Sequence, residues 1–250
     1  ARGDAPRVHR GLPERRGAGH HAGELHRFHR LKAPEDRNYA RLETDLSARI
    51  YVLQGDNAQG KTNLLEAIYY LATTRTPLAS YDRQLIRWEA DQEEVIPNAQ
   101  LALTFVRGGD AHTIEASLVK EPSAPNGNGD MVFRRQLRYD GVNRRAMDVV
   151  GKLNVVLFLP EDIVLVSGSP SDRRRYLDIT LCQLDEIYCR SLSRYNRVIT
   201  QRNALLRQIR ERTARRKELG YWDTQVARLG AYVMARRMWA IGLLERETLQ

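Results

Sequence analysis

The chain has 250 residues, 42% of them hydrophobic, and 40 Lys and Arg against 31 Asp and Glu give it a formal net charge of +9. That is apolar material for one large or two smaller packed domains, and no run approaches the roughly 20 apolar residues that a spanning helix needs. The charge points to an anionic partner, nucleic acid first, with no membrane partner; no charged-then-apolar leader opens the chain, so the cytoplasm is the expected location.

Residues 1–33 qualify the charge argument, because eight Lys and Arg against three acids place +5 of the +9 there and leave +4 for residues 34–250. The same segment holds five of the six histidines and five glycines, shows almost no apolar periodicity, and lacks an initiator methionine. A disordered tail, a basic nucleic-acid arm and sequence read out of frame all fit this composition.

From Arg49 the pattern sharpens. ARIYVLQ is a short apolar run that predicts a buried strand ending at Gly55, and GKTNLLEAIYYLATT places Leu64, Leu65, Ile68 and Leu71 at helical spacing. Between them lie Gly55, Asp56, Asn57, Ala58, Gln59, Gly60, Lys61 and Thr62, a full match to GxxxxGK[ST], followed by Asn63. The glycines let the backbone curl so that amide hydrogens point inward at phosphate oxygens, and the helix that follows adds its positive end. Lys61 is suited to the β- and γ-phosphates of a nucleoside triphosphate and the Thr62 hydroxyl to its magnesium ion. Motif and context leave GTPases, kinases and ATPases open, although the NKxD element of guanine recognition is absent.

LALTFV, HTIEASLV and FRRQLRYDGVN, between about 100 and 145, alternate as antiparallel strands do, with turns expected at Gly108-Gly109, Pro125 to Gly129 and Asp140-Gly141. LNVVLFL, from Leu153 to Leu159, predicts a further buried strand stopped by Pro160. From Ser171 to about Lys217 apolar residues recur at helical spacing, Gly220 in RKELGYW supplies a break, and Trp222 to Gln250 resumes as a second helix. Two long helices with a short connection predict an antiparallel hairpin arm. Cys182 and Cys189 form no CxxC pair and are expected to be reduced thiols.

Basic residues concentrate on the arm. From Arg190 to Lys217 there are ten Lys and Arg and one acid, Glu211, whereas a merely solvated face usually alternates in sign. Arg190, Arg194 and Arg197 share one helical face and Arg207 and Arg210 another; with Arg202 these are the candidate DNA-backbone contacts. Arg173, Arg174 and Arg175 open a helix and suit either phosphate or neighbouring acids such as Asp172, Asp178 and Glu161. Tyr188, Tyr195 and Tyr221 suit stacked bases or a packed hairpin, and their spacing favours the hairpin. His112, alone in a strand, suggests nothing catalytic, and no nucleophilic constellation is present.

Several blocks resemble the RecF DNA replication and repair ATPases, relatives of the SMC-like and ABC-type ATPases. They are RNYARLETDL (37–46), GDNAQGKTNLLEAIYYLATTR (55–75), VVLFLPEDIVLVSGSPSDRRRYLD (155–178), YNRVITQRNALL (195–206) and WDTQVARLGAYVMARR (222–237), together spanning most of the chain from Arg37. The resemblance implies an α/β fold: a P-loop ABC-type ATPase head with an antiparallel β meander and a helical lobe ending in an antiparallel hairpin arm. The implied division is an ATPase lobe over 34–160 and a helical lobe and arm over 161–250. It implies ATP and Mg2+ as ligands, with Arg37 and Asn38 of the RNY element approaching the nucleotide beside the P-loop, and Glu161-Asp162 either a lobe-linking element or an acidic helix start. Implied partners are DNA at single-strand gaps, ends and duplex backbone, a second copy of the chain in an ATP-bound homodimer, and the RecO and RecR mediators. The implied role is recombinational repair, replication maintenance and the SOS response.

Two departures stand out. The short strand that opens RecF-like chains is not recognisable before Arg37, and neither the signature motif nor the Walker B carboxylates that complete an ABC-type site occurs before Gln250. Half of a composite site is expected to bind ATP weakly and not to turn it over. A DNA-binding scaffold with a vestigial P-loop and an SMC-like structural ATPase remain as alternatives.

Overall fold

The computed structural model describes residues 7–10, 27–32, 42–46, 48–57, 59–76, 98–122 and 131–248. It divides into two compact units, Ala1–Leu157 and Phe158–Gln250.

The first unit is built on a six-stranded antiparallel sheet, in the order β3-β2-β5-β6-β7-β8: β2 (Arg27–Lys32), β3 (Glu43–Asp45), β5 (Asn98–Arg107), β6 (Asp110–Pro122), β7 (Met131–Tyr139) and β8 (Val142–Arg144). The alternation read in the sequence is what builds it. Leu101, Leu103, Phe105, Ile114, Ala116, Leu118 and Leu137 turn to one face and are buried, while Gln100, Thr104, Thr113, Glu115 and Gln136 occupy the other. Two of the three expected turns are two-residue hairpins with positive φ at both positions, Gly108 (60°) and Gly109 (95°), then Asp140 (51°) and Gly141 (75°). This mirror-image turn matches the twist of the flanking strands. The third expected turn, Pro125 to Gly129, lies outside the described residues.

Helix α1 (Lys61–Thr73) covers the buried face of the sheet with Leu64, Ala67, Tyr70 and Leu71, joined by Val149 of the short helix α2 (Ala146–Val149) and by Leu153. Strand β4 (Tyr51–Gln54), which leads into the phosphate-loop motif, pairs antiparallel with β1 (Arg7–Arg10) in a separate two-stranded sheet. Here the structure corrects the sequence reading. β4 is not buried on both sides: Tyr51 and Leu53 pack on the core, while Ile50 and Val52 stay more than half exposed. Within residues 1–33, where periodicity showed no strand, β1 and β2 are formed, and β2 lies between β3 and β5.

Leu153 to Leu159 is likewise not a strand. It has no ladder partner among the described residues, with Leu153 and Leu159 buried and Val156 and Phe158 more than 80% exposed. Apolar residues on both sides gave the segment the look of a buried strand, but only one side is covered.

The second unit is helical: a 3-10 turn (Pro160–Ile163), α3 (Val164–Ser167), α4 (Pro170–Leu184), α5 (Glu186–Arg210), a second 3-10 turn (Arg216–Glu218) and α6 (Leu219–Thr248). The expected continuous helix from 171 to 217 breaks at Asp185, whose carboxylate accepts the Tyr188 amide at 3.0 Å and caps α5. The hairpin turn also falls earlier than expected, around Arg212 in the left-handed region (φ 63°), and Gly220 sits inside the first turn of α6. The pairs Asp185–Tyr232, Tyr195–Gly230 and Arg202–Asp223 run in opposite directions along the two helices, so the hairpin is antiparallel. Its core is Leu181, Tyr188 and Val233. Tyr188 is fully buried and Tyr195 half-buried against Gly230, whereas Tyr221, expected in the core, is 64% exposed near the hairpin end. No helix among the described residues is long and apolar enough to cross a membrane.

Candidate nucleotide site and basic surfaces

β4 delivers the chain to Gly55 and the loop closes at Gly60, the N-cap of α1, in the left-handed conformation (φ 84°) that glycine adopts without a Cβ penalty. Asp56 N–H donates to Gln59 Oε1 at 3.0 Å, and Leu64 N–H to Gly60 O at 3.1 Å begins the helix. The Lys61 ammonium folds back over the loop and donates to the Gly55 and Asp56 carbonyls at 2.8 and 2.6 Å. Among the described residues no side chain caps the start of α1, and no acid lies in its first turn, which leaves its positive end open to an anion. Thr62, in that first turn, is exposed, and Asn63 is half-buried beside it. A lysine over a loop that ends in an uncapped, acid-free helix start is complementary to a polyphosphate in shape and charge. Gly55, Asp56, Asn57, Gln59, Gly60, Lys61, Thr62 and Asn63 are thereby brought together; Ala58, Arg37 and Asn38 lie outside the described residues.

Sequence reasoning missed the residue that anchors the far end of this helix. Glu66 is 1% exposed and accepts the Thr76 hydroxyl just beyond the C-terminus of α1. Arg135 of β7 reaches the same end, donating to the Thr74 carbonyl at 3.0 Å. The available signal was an acid set among residues that periodicity assigns to the core, between Leu64 and Ala67.

On the arm the six candidate arginines separate. Arg190 pairs with Glu186 one turn away, and Arg202 donates through Nε to Asp223 of α6 at 2.6 Å, so both have acidic partners within the hairpin. Arg194, Arg197, Arg207 and Arg210 are exposed and form no ion pair among the described residues. Of the arginines opening α4, Arg173 closes the end of α3, donating to Gly168 O at 3.1 Å, while Arg174 and Arg175 remain exposed. Asp162 accepts the Leu159 amide at 2.7 Å, the arrangement of an acidic helix start. Ser169 and Asp172 form a capping box for α4, and the hydrogen bonds from Ser169 hold the Asp172 carboxyl below its ordinary range.

The helical unit has its own polar centre. Asp178 accepts Tyr188 Oη at 2.5 Å and takes Arg237 Nε and Nη2 at 2.8 Å each. Burial first, then the hydrogen bond and charge of Asp178, push the Tyr188 phenol far up. In the sheet unit, Asp140 accepts the Thr113 amide and pairs with His112 Nδ1, each at 2.8 Å. Partial burial would raise this carboxyl, but the hydrogen bonds and charge of those partners outweigh it and hold it low. These contacts tie elements distant in sequence, and no group of three or more His, Cys, Asp or Glu suited to a metal occurs among the described residues. Cys182 and Cys189 are half-buried thiols.

No family model matches the chain. It is 44% identical over 218 residues to the DNA replication and repair protein RecF of Roseiflexus castenholzii, covering 84% of this chain and 55% of the relative. It is 43% identical over 224 residues to RecF of Herpetosiphon aurantiacus, covering 87% of this chain and 57% of that one. Among solved structures, the recombination mediator protein RecF-ATP of the RecFOR pathway superposes with a TM-score of 0.70 at 25% identity, over 90% of this chain and 56% of that chain. The chain thus spans about half the length of the curated relatives it matches.

Proposed function

We propose, from the similarity of most of this chain to RecF proteins and to the fold of a solved RecF-ATP structure, that it binds ATP with Mg2+ at the Gly55–Asn63 loop and uses that binding to control attachment to DNA. The carrying observation is the loop itself: a complete GxxxxGKT motif between β4 and an uncapped, acid-free α1, with the Lys61 ammonium spanning it. The backbone amides and Lys61 hold the phosphates, and Thr62 offers its hydroxyl to the cation. The nucleotide supplies the charge that draws two heads together, and closure follows from contacts made only in the ligand-bound state.

On this reading the chain forms an ATP-dependent homodimer on DNA in the cytoplasm, contacts the phosphate backbone through Arg194, Arg197, Arg207 and Arg210, and acts with RecO and RecR in gap repair. A curated relative named for DNA replication and repair and a neighbour named as a recombination mediator support it. Lys61→Ala tests it. Dimerisation and DNA affinity are measured with and without ATP, by sedimentation and by fluorescence anisotropy. The nucleotide switch predicts that ATP strengthens both in the unmodified protein and neither in the variant. Identical behaviour of the two proteins would instead make the loop vestigial and the chain a DNA-binding scaffold.

A further inference from the structure

The face of the six-stranded sheet opposite the one packed on α1 bears Arg134 and Arg138 of β7, with Glu115 and Glu121 of β6 beside them. The other basic residues of 131–152 do not share this face: Arg135 donates to the Thr74 carbonyl at the end of α1, and Arg144 stands in register with buried Leu137. Arg138 forms no ion pair among the described residues.

Arg138 is set in a particular way. The Asp140-Gly141 turn fixes the register, so that Arg138 stands directly opposite Asn143. The Asn143 carboxamide oxygen accepts Gln136 Nε2 at 2.7 Å and Arg138 Nε at 3.2 Å. Anchoring through Nε orients the guanidinium plane and leaves both terminal nitrogens without an acceptor among the described residues. Beside it is a depression lined by Gln100, Ala102, Glu115, Ser117, Gln136 and Arg138, where the short side chains of Ala102 and Ser117 lie between longer ones. Arg134, two positions beyond Gln136 on the same face, is exposed and paired with Glu121.

We propose that Arg138, held by Asn143, whose carboxamide Gln136 also engages, is a phosphodiester contact on the sheet unit, in addition to the arginines of α5. The proposal rests on the reading of the chain as a DNA-binding protein. Its chemistry is that of an oriented two-nitrogen fork, which matches two phosphate oxygens and reads no sequence. Glu115 stands directly across from Arg138 on β6 and does not pair with it. That carboxylate opposes an incoming phosphate and weakens the contact, so the two residues have effects of opposite sign.

The test is fluorescence anisotropy of the purified protein with labelled single-stranded and duplex oligonucleotides over a salt series. Arg138→Ala should weaken binding about three- to tenfold at low salt and reduce the slope of log affinity against log salt by about 1. Arg138→Lys should fall between, and Glu115→Gln should strengthen binding. Unchanged affinity and slope in both Arg138→Ala and Glu115→Gln, with weaker binding by Arg197→Ala, would overturn this site and leave the DNA-binding reading standing. Loss in Arg138→Ala but not in Arg197→Ala would support this site and remove the arm's. No binding by the unmodified protein would overturn both.

Discussion

Replacing Asp178 by Ala removes the acceptor that joins α4, α5 and α6. The Tyr188 hydroxyl and two Arg237 nitrogens converge on it at 2.5 to 2.8 Å, and the Arg237 and Asp178 side chains are only 19% and 20% exposed. Losing one partner of a buried pair costs roughly 3–5 kcal/mol because the other charge is stranded. One-fifth exposure lets water reach the stranded guanidinium, so the lower end, about 3 kcal/mol, is expected. For a unit of this size each kcal/mol lowers the melting temperature by about 4–8 °C, giving a drop of about 12–24 °C. The double variant Asp178→Leu, Arg237→Met removes both charges and should cost less than the single one. Thermal and denaturant melts followed by far-ultraviolet circular dichroism read both. A single variant within about 1 kcal/mol of the unmodified protein, or a double variant more damaging than the single, would refute the reasoning.

The same cluster sets an alkaline limit. Burial and Asp178 raise the folded-state pKa of Tyr188 above its ordinary value. Its contribution is therefore complete below about pH 10 and is lost as pH rises further, because the unfolded chain ionises first. The denaturation midpoint should fall above that pH, less steeply in Tyr188→Phe; equal slopes would contradict this. In the sheet unit, Phe105 is fully buried beneath α1, and Phe105→Ala should cost about 3–5 kcal/mol in urea melts.

Much of this was legible where interactions are local. Period-2 alternation around Leu101, Ile114 and Leu137, with Gly108-Gly109 and Asp140-Gly141 between, specifies the meander because both strands and turns are written in adjacent residues. The strand-loop-helix setting of Lys61 was legible for the same reason. What depends on distant partners was not. β2, rich in Arg and His, becomes a strand because β3 and β5 flank it, a pairing no window of residues displays. Val156 and Phe158 look like core in a list of residues, but burial depends on what covers them. Asp185 ended a helix that periodicity carried through, since a short polar side chain can cap the next amides rather than continue the turn. In the candidate site, Lys61 and Thr62 stood out by motif, while Glu66 and Arg138 depend on Thr76 and Asn143, which only the fold brings near.

The most direct measurement is calorimetric titration of the purified protein with ATP in the presence of Mg2+, beside Lys61→Ala. Saturable binding at one site per chain is expected, weakened at least about tenfold by the substitution, as loss of a charged phosphate contact requires. No binding by the unmodified protein, or equal affinity in the two, would contradict the assignment of the Gly55–Asn63 loop as a nucleotide site.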